Sequence, residues 1–393
     1  MNSASSSVIT RRRAPAVGPV EAANLEAIPE HQDKPMTSKK LNLKAGEVVE
    51  VRGLQEILAT LDERGCLDSL PFMPEMMEYC GKRHRIFKRA DKTCDNIGPW
   101  SIRRMQDSVH LEGARCDGAG HDGCEAGCLI FWKEAWLKRS ENNIVPAQIL
   151  LPSRTAAGTG ALCTIESILA ASRTPAPAGE TIYSCQATQV LSFTSFMRWW
   201  DLRQYIRDIR SGNLAGGAAA DSRSCRWLEI VLAALMSLRQ VLIGLFNSLQ
   251  ARRGVGYPPP LRGPQHKTPL EVLDLQPGEL VEVRSKDEIL ATLDQGSKNR
   301  GLYFGPEMLH YAEGIYRVQR SVRRIIDEKT GKMLNMKHPC IVLEGVWCQS
   351  SQYHRFCPRA IYHYWREGWL KRVDAGKVPA KAEELAETCR SGC

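Results

Sequence analysis

One stretch of sequence occurs twice in this chain, and the duplication constrains its architecture more than any other feature. Gly46 to Asp62 reads GEVVEVRGLQEILATLD and Gly278 to Asp294 reads GELVEVRSKDEILATLD, an offset of 278 − 46 = 232. The offset holds through Met73-Pro74-Glu75-Met76 against Gly305-Pro306-Glu307-Met308 and through Leu111-Glu112-Gly113 against Leu343-Glu344-Gly345. It still holds at Cys116 against Cys348, then grows by one residue. With that insertion Cys124 falls on Cys357, and Trp132-Lys133-Glu134-Ala135-Trp136 falls on Trp365-Arg366-Glu367-Gly368-Trp369. A period this long means two copies of one structural unit, each with its own core.

Within each copy the pattern changes from strand to helix and back. Val49 and Val51, like Val281 and Val283, alternate with polar residues at the period of a strand. Ile57, Leu58 and Leu61, and then Ile289, Leu290 and Leu293, recur at helical spacing with Glu56 or Glu288 in the first turn. Pro74 and Pro306 suit the first turn of a second short helix. Further strands are expected over 83–89 and 316–320, then over 109–112 and 341–344. The fold class that follows is α+β: two small, mainly antiparallel β modules with short helices, joined by a helical segment. The expected boundaries are an extension over 1–40, module one over 41–140, a linker and helical segment over 141–266, module two over 267–373 and a polar tail over 374–393.

The opening GE(V/L)VEVR resembles the first strand of SH3-like barrels, where a Gly turn leads into an alternating strand. The whole unit, with its PEM, LEG, cysteine and W(K/R)E(A/G)WLKR segments, resembles an uncharacterised bacterial family that occurs as single and tandem copies. That resemblance implies the module boundaries and carries no activity.

The middle segment has a different composition. Residues 153–179 are rich in Ala, Gly, Thr and Pro and read as a connection with one short helix. In the stretch 198–210, Trp199, Leu202, Ile206 and Ile209 share one helix face while Arg198, Arg203, Arg207 and Arg210 occupy the rest. A second helix is expected over 227–252; Glu229 and Arg239 break its apolar run, leaving it short of a membrane span and suited at most to peripheral membrane contact. Pro258-Pro259-Pro260 then forms a stiff link into module two.

The densest chemistry lies in Cys116-Asp117-Gly118-Ala119-Gly120-His121-Asp122-Gly123-Cys124-Glu125-Ala126-Gly127-Cys128. Thiolates about 2.3 Å from a tetrahedral zinc need a tight loop, and the glycines let the backbone turn. The expected ligands in module one are Cys94, Cys116, Cys124 and Cys128, with His121 as an alternative. Cys94 and Cys128 fall on Ile326 and Ile361, so module two needs a different set: Cys340, Cys348, His354 and Cys357. An iron-sulfur cluster uses the same donors and is the alternative cofactor. Small buried hydrophobes are the competing account of these thiols. Cys66, Cys80, Cys163, Cys185, Cys225, Cys389 and Cys393 stand apart from both sets. Fourteen cysteines without an apolar run after Arg11-Arg12-Arg13 point to a cytoplasmic chain with reduced thiols.

Common catalytic signatures G-x-x-x-x-G-K-[ST], H-E-x-x-H and G-x-S-x-G do not occur. His110-Leu111-Glu112 has the H-x-E form of zinc deaminases, but P-C-x-x-C is missing downstream and the second copy has Val342 at the histidine position. The expected function is therefore a non-catalytic, structural-zinc accessory protein for recognition or assembly, with an unidentified protein partner. A metalloenzyme or redox protein is one alternative. The other is a nucleic-acid or acidic-polymer binder, favoured by the net charge of +9, the arginines at 198, 203, 207 and 210, and the Trp-Lys-Arg segments. Trp132, Trp136, Trp365 and Trp369 are expected in the cores, as large aromatics dominate burial.

Overall fold

The computed structural model describes residues 40–97, 101–140, 163–214, 223–250, 253, 257–350 and 356–373. The expected extension (apart from Lys40), the polar tail, most of the Ala-Gly-Thr connection and His354 lie outside the described residues.

Module one forms a five-stranded antiparallel sheet. Its strands are Val48–Val51 (β1), Arg83–Arg89 (β2), Ser108–Arg115 (β3), Leu129–Lys133 (β4) and Leu137–Arg139 (β5), in the order β4-β3-β2-β1-β5. The last strand thus returns to the free edge of the first: Val49 pairs with His84 on one side and Val51 with Leu137 on the other. Alternation places Val49 and Val51 at zero exposure while Val48 faces solvent. One turn of helix, Glu134–Trp136, carries the chain from β4 to β5. Module two follows this plan with one strand fewer: Leu280–Val283 (β6), Ile315–Ile326 (β7), Met333–Leu343 (β8) and Leu370–Arg372 (β9), ordered β8-β7-β6-β9, with the counterpart of β4 reduced to the bridge between Ile341 and Trp365. Its one-turn helix is Glu367–Trp369.

The repeated motifs have matching physical roles. All four motif tryptophans are fully buried, and Trp136 and Trp369 donate their indole N–H to Thr60 and Thr292, at 3.1 and 2.9 Å. Phe72 meets Trp136 edge-on at 5.5 Å, as Phe304 meets Trp369 at 5.0 Å. Glu134 accepts the amide hydrogens of Leu41, Asn42 and Leu43, and Glu367 those of Leu273 and Leu275. Glu134 is buried and Glu367 half-buried, and a carboxylate withdrawn from water needs such partners. The short helices also follow from sequence. Leu54–Leu58 (α1) starts where Glu56 accepts the Gly53 amide, and Lys286–Leu290 (α5) starts with a reciprocal Ser285/Glu288 capping box.

The middle segment packs onto module one. Ile165–Ala171 (α2) is its first helix, and Ser195–Phe196 adds a strand to Ile102–Arg104, which itself pairs with Lys92–Cys94. The second helix, Arg203–Arg210 (α3), buries Gln204, Tyr205 and Asp208, while Leu202 and Ile206 are exposed. This inverts the face expected from apolar periodicity. The reason is an ion pair: Asp208 meets the buried Lys92 ammonium at 2.5 Å, and turning that carboxylate inward turns the isoleucine out. The third helix, Arg223–Gln250 (α4), is 28 residues long. Among the described residues no helix is long and apolar enough to cross a membrane.

The two modules meet through their cysteine loops, and the contacts are reciprocal. The Cys94 amide donates to Cys357 Sγ at 3.0 Å, and the Ile326 amide donates to Cys124 Sγ at 3.3 Å. Cys94 and Ile326 are counterparts, as are Cys124 and Cys357, so each copy makes the same contact on the other. Such an exchange of roles is the mark of an isologous, two-fold-like interface.

Candidate metal centre

Three potential ligands converge where the loop of module one meets its second short helix. The ligand atoms of Glu75, Cys116 and His121 all lie within 4.8 Å of one another, the one such group of three among the described residues. Glu75 sits in the two-turn 3-10 helix Pro74–Tyr79, opened by Pro74. Cys116 follows β3, and its amide is tied to the Cys128 carbonyl at 2.8 Å, which closes the loop at its base. Two glycines allow the fold of this loop. A side chain at Gly118, whose φ is +75°, would strike the Cys124 backbone at 2.1 Å, and one at Gly120 would strike Pro74 at 2.8 Å. Gly120 instead gives its amide to Glu75 Oε1 at 3.0 Å. Gly118, Gly120 and Gly123 have the spacing of a dinucleotide fingerprint. They enclose the three-residue turn Ala119–His121 and are followed by the strand Leu129–Lys133 rather than a helix, so the helix N-terminus that would hold a pyrophosphate is missing.

The electrostatics of the group suit a cation. His121 Nδ1 lies 2.5 Å from Glu75 Oε1, with side-chain exposures of 1 % and 0 %. The other ring nitrogen, Nε2, lies 3.2 Å from the Ser184 carbonyl, which can only accept; Nε2 therefore carries the hydrogen. That leaves the Nδ1 lone pair facing a carboxylate oxygen, and something positive has to lie between them: a proton or a metal ion. Burial pushes the Glu75 carboxyl up, but hydrogen bonds from His121 and Cys116 outweigh it and hold the group below its ordinary value. Glu75 Oε2 has no hydrogen-bond partner among the described residues. The Cys116 thiol is pushed up, by burial first and then by the Glu75 carboxylate. Such a thiol is a poor nucleophile, because attack requires the thiolate.

The expected four-cysteine set is arranged differently. Cys116, Cys124 and Cys128 border one cavity of about 300 Å³ together with Cys185, at the junction with Glu328 and Arg359 of module two. Their sulfurs do not gather within ligand reach, whereas two thiolates on one tetrahedral zinc stand roughly 3.8 Å apart. Cys94 lies against Cys357 instead. Burial opposes the Cys357 thiolate, yet hydrogen bonds from the Cys94 side chain and the Arg359 amide hold its thiol down, while the bond to Cys357 drives the Cys94 thiol up. In module two, Cys340 touches Met336 Sδ at 3.4 Å and Cys348 touches Ser350 at 3.3 Å. His354 is outside the described residues.

Sequence reasoning missed Glu75 and Cys185. A signal for Glu75 existed: a glutamate repeated at the same offset, Glu307, in a segment otherwise apolar. Glu307 is buried like Glu75, and after burial its carboxylate is the largest cause that pushes the Cys348 thiol up to about 12. The glutamate and cysteine neighbourhood is thus present in both copies. A histidine follows in each at a separation of 354 − 121 = 233, the same as 357 − 124 = 233.

His110 is fully buried, bonds the Ile130 carbonyl at 2.8 Å and has its pKa lowered to about 3 by burial. Of the arginines at 198 to 210, Arg198 stacks on Trp200 and Arg203 pairs with Asp201 at 2.9 Å. Arg207 and Arg210 border a cleft with Lys44 and Arg104. No protein family, curated protein or solved structure was found to match this chain.

Proposed function

We propose that the protein is a non-catalytic tandem scaffold whose first module holds a structural metal ion, zinc by donor chemistry, at Glu75, Cys116 and His121. The observation that carries this reading is the convergence of those three donors from two separate segments in a nearly dry site. A carboxylate, a thiolate and an imidazole all bind zinc at about 2.0 to 2.3 Å, and the Ser184 carbonyl would fix the histidine tautomer as metal sites require. The fourth position would fall to water, since Cys185 borders the same cavity but its sulfur lies outside the group of three. Metal binding would fasten a glycine-rich loop that has little apolar packing of its own, and that same loop docks on module two. The ion would thereby stabilise the pairing of modules, an assembly role rather than a chemical one. Strand order and the one-turn helix before the last strand support the SH3-like barrel reading for each module. Free, metal-competent thiols fit a cytoplasmic setting.

The test is metal content combined with stability. Protein purified without chelator should carry zinc, and its removal should lower the melting temperature. Glu75→Gln and His121→Ala should lose the ion while Cys94→Ser, outside the site, retains it. Zinc lost equally from Cys94→Ser would refute the assignment.

A further inference from the structure

Helix α4 presents its apolar side to solvent. Its side chains are described at 231 and from 234 to 250. Ser237 and Gln240 point inward and are buried, and Gly244 lies so close to Trp199 that an added Cβ would come within 2.6 Å of the indole. Outward stand Leu235, Leu238, Leu242, Leu245 and Leu249, between 45 % and 70 % exposed, flanked by Met236 and Phe246. A helix held to its own protein by serine, glutamine and glycine, with leucines in water, has a second partner.

The spacing of the leucines says what kind. They follow one another at 3, 4, 3 and 4 residues, the alternation that keeps one stripe on the seam between two helices. An interfacial helix carries the same stripe but presents a strongly cationic polar side, whereas Arg239 is the lone charged residue from Ala234 to Gln250. The single charge also means that two copies of this face meet without a row of like charges. Seven half-exposed apolar side chains amount to an area on the order of 700 Å² per copy, close to the roughly 800 Å² per partner of a standard stable interface. We infer that α4 is the dimerisation helix of the protein, its Leu235–Leu249 stripe packing against the same stripe of a second copy.

Light scattering on the full chain across a concentration series tests this. The expected mass at micromolar concentration is twice the chain mass of 43.9 kDa. Leu238→Glu and Leu242→Glu, at exposed positions that leave the folded monomer intact, should each weaken dimerisation about thirtyfold or more. Leu169→Glu, 49 % exposed on α2, should leave the dimer unchanged. A wild-type chain that stays monomeric at high micromolar concentration overturns the inference. So does a doubly substituted chain that remains dimeric, or a monomer that instead sediments with phosphatidylcholine and phosphatidylserine vesicles.

Discussion

Asn96 donates a hydrogen bond to Glu328 across the module junction, at 3.4 Å, and the two residues are counterparts: 328 − 96 = 232, the repeat offset itself. A residue can touch its own counterpart only where the local two-fold axis passes. Around that point the reciprocal sulfur contacts of Cys357 and Cys124 are arranged. Duplication has therefore produced an internal dimer in which each cysteine loop is folded against the other copy.

One buried cation, Arg359, sits at the junction beside the half-buried Arg115 and Arg320. Arg359 is 3 % exposed, bonds Glu328 at 2.9 Å and also reaches the Cys94 carbonyl. Arg359→Ala leaves Glu328 without its cation in a largely buried place, at a cost of about 3–5 kcal/mol. We predict that its denaturant unfolding, followed by circular dichroism, splits into two transitions. One unaltered cooperative transition would mean that Arg359 does not couple the modules.

The core tryptophans and the surface tryptophan should behave in opposite ways. Trp136→Ala or Trp369→Ala removes a fully buried indole and strands Thr60 or Thr292, costing about 3–5 kcal/mol. Trp200, 54 % exposed, should cost within about 0.5 kcal/mol when truncated. Equal melting temperatures for Trp136→Ala and wild type would contradict the packing described for module one.

Glu75 makes the stability of metal-free protein depend on pH in a set direction. Its folded pKa lies below the ordinary 4.5, so its contribution is present above that value and is lost as pH falls through the folded one. Glu75→Gln removes the charged partner of His121, and at pH 7 the variant should be less stable by about 1–3 kcal/mol. Titrating both proteins by urea unfolding should show the gap narrowing in acid, beginning below about pH 5. A gap that widens in acid has the wrong sign for this account.

Much of this structure was legible in the sequence, and the reasons are local. Val49 and Val51 alternate, Glu56 and Glu288 sit where helix starts need them, and the four motif tryptophans recur with their glutamate; all are satisfied within one module. What escaped was non-local. Leu202 and Ile206 share a face, but the outcome was decided by Lys92, more than a hundred residues earlier, whose charge draws Asp208 inward. Cys94 keeps no company with Cys116 because the loops pair across copies, which no spacing within one copy encodes. Glu75 lies 46 residues before His121, and while its repetition as Glu307 marks it, only the fold shows that it meets the histidine.

X-ray absorption at the zinc edge of the purified protein tests the central claim most directly. Binding at Glu75, Cys116 and His121 predicts a mixed shell, with sulfur near 2.3 Å and nitrogen or oxygen near 2.0–2.1 Å. A shell of four sulfurs would return the site to a cysteine cluster, and protein without metal would leave the His121–Glu75 contact as an ion pair alone.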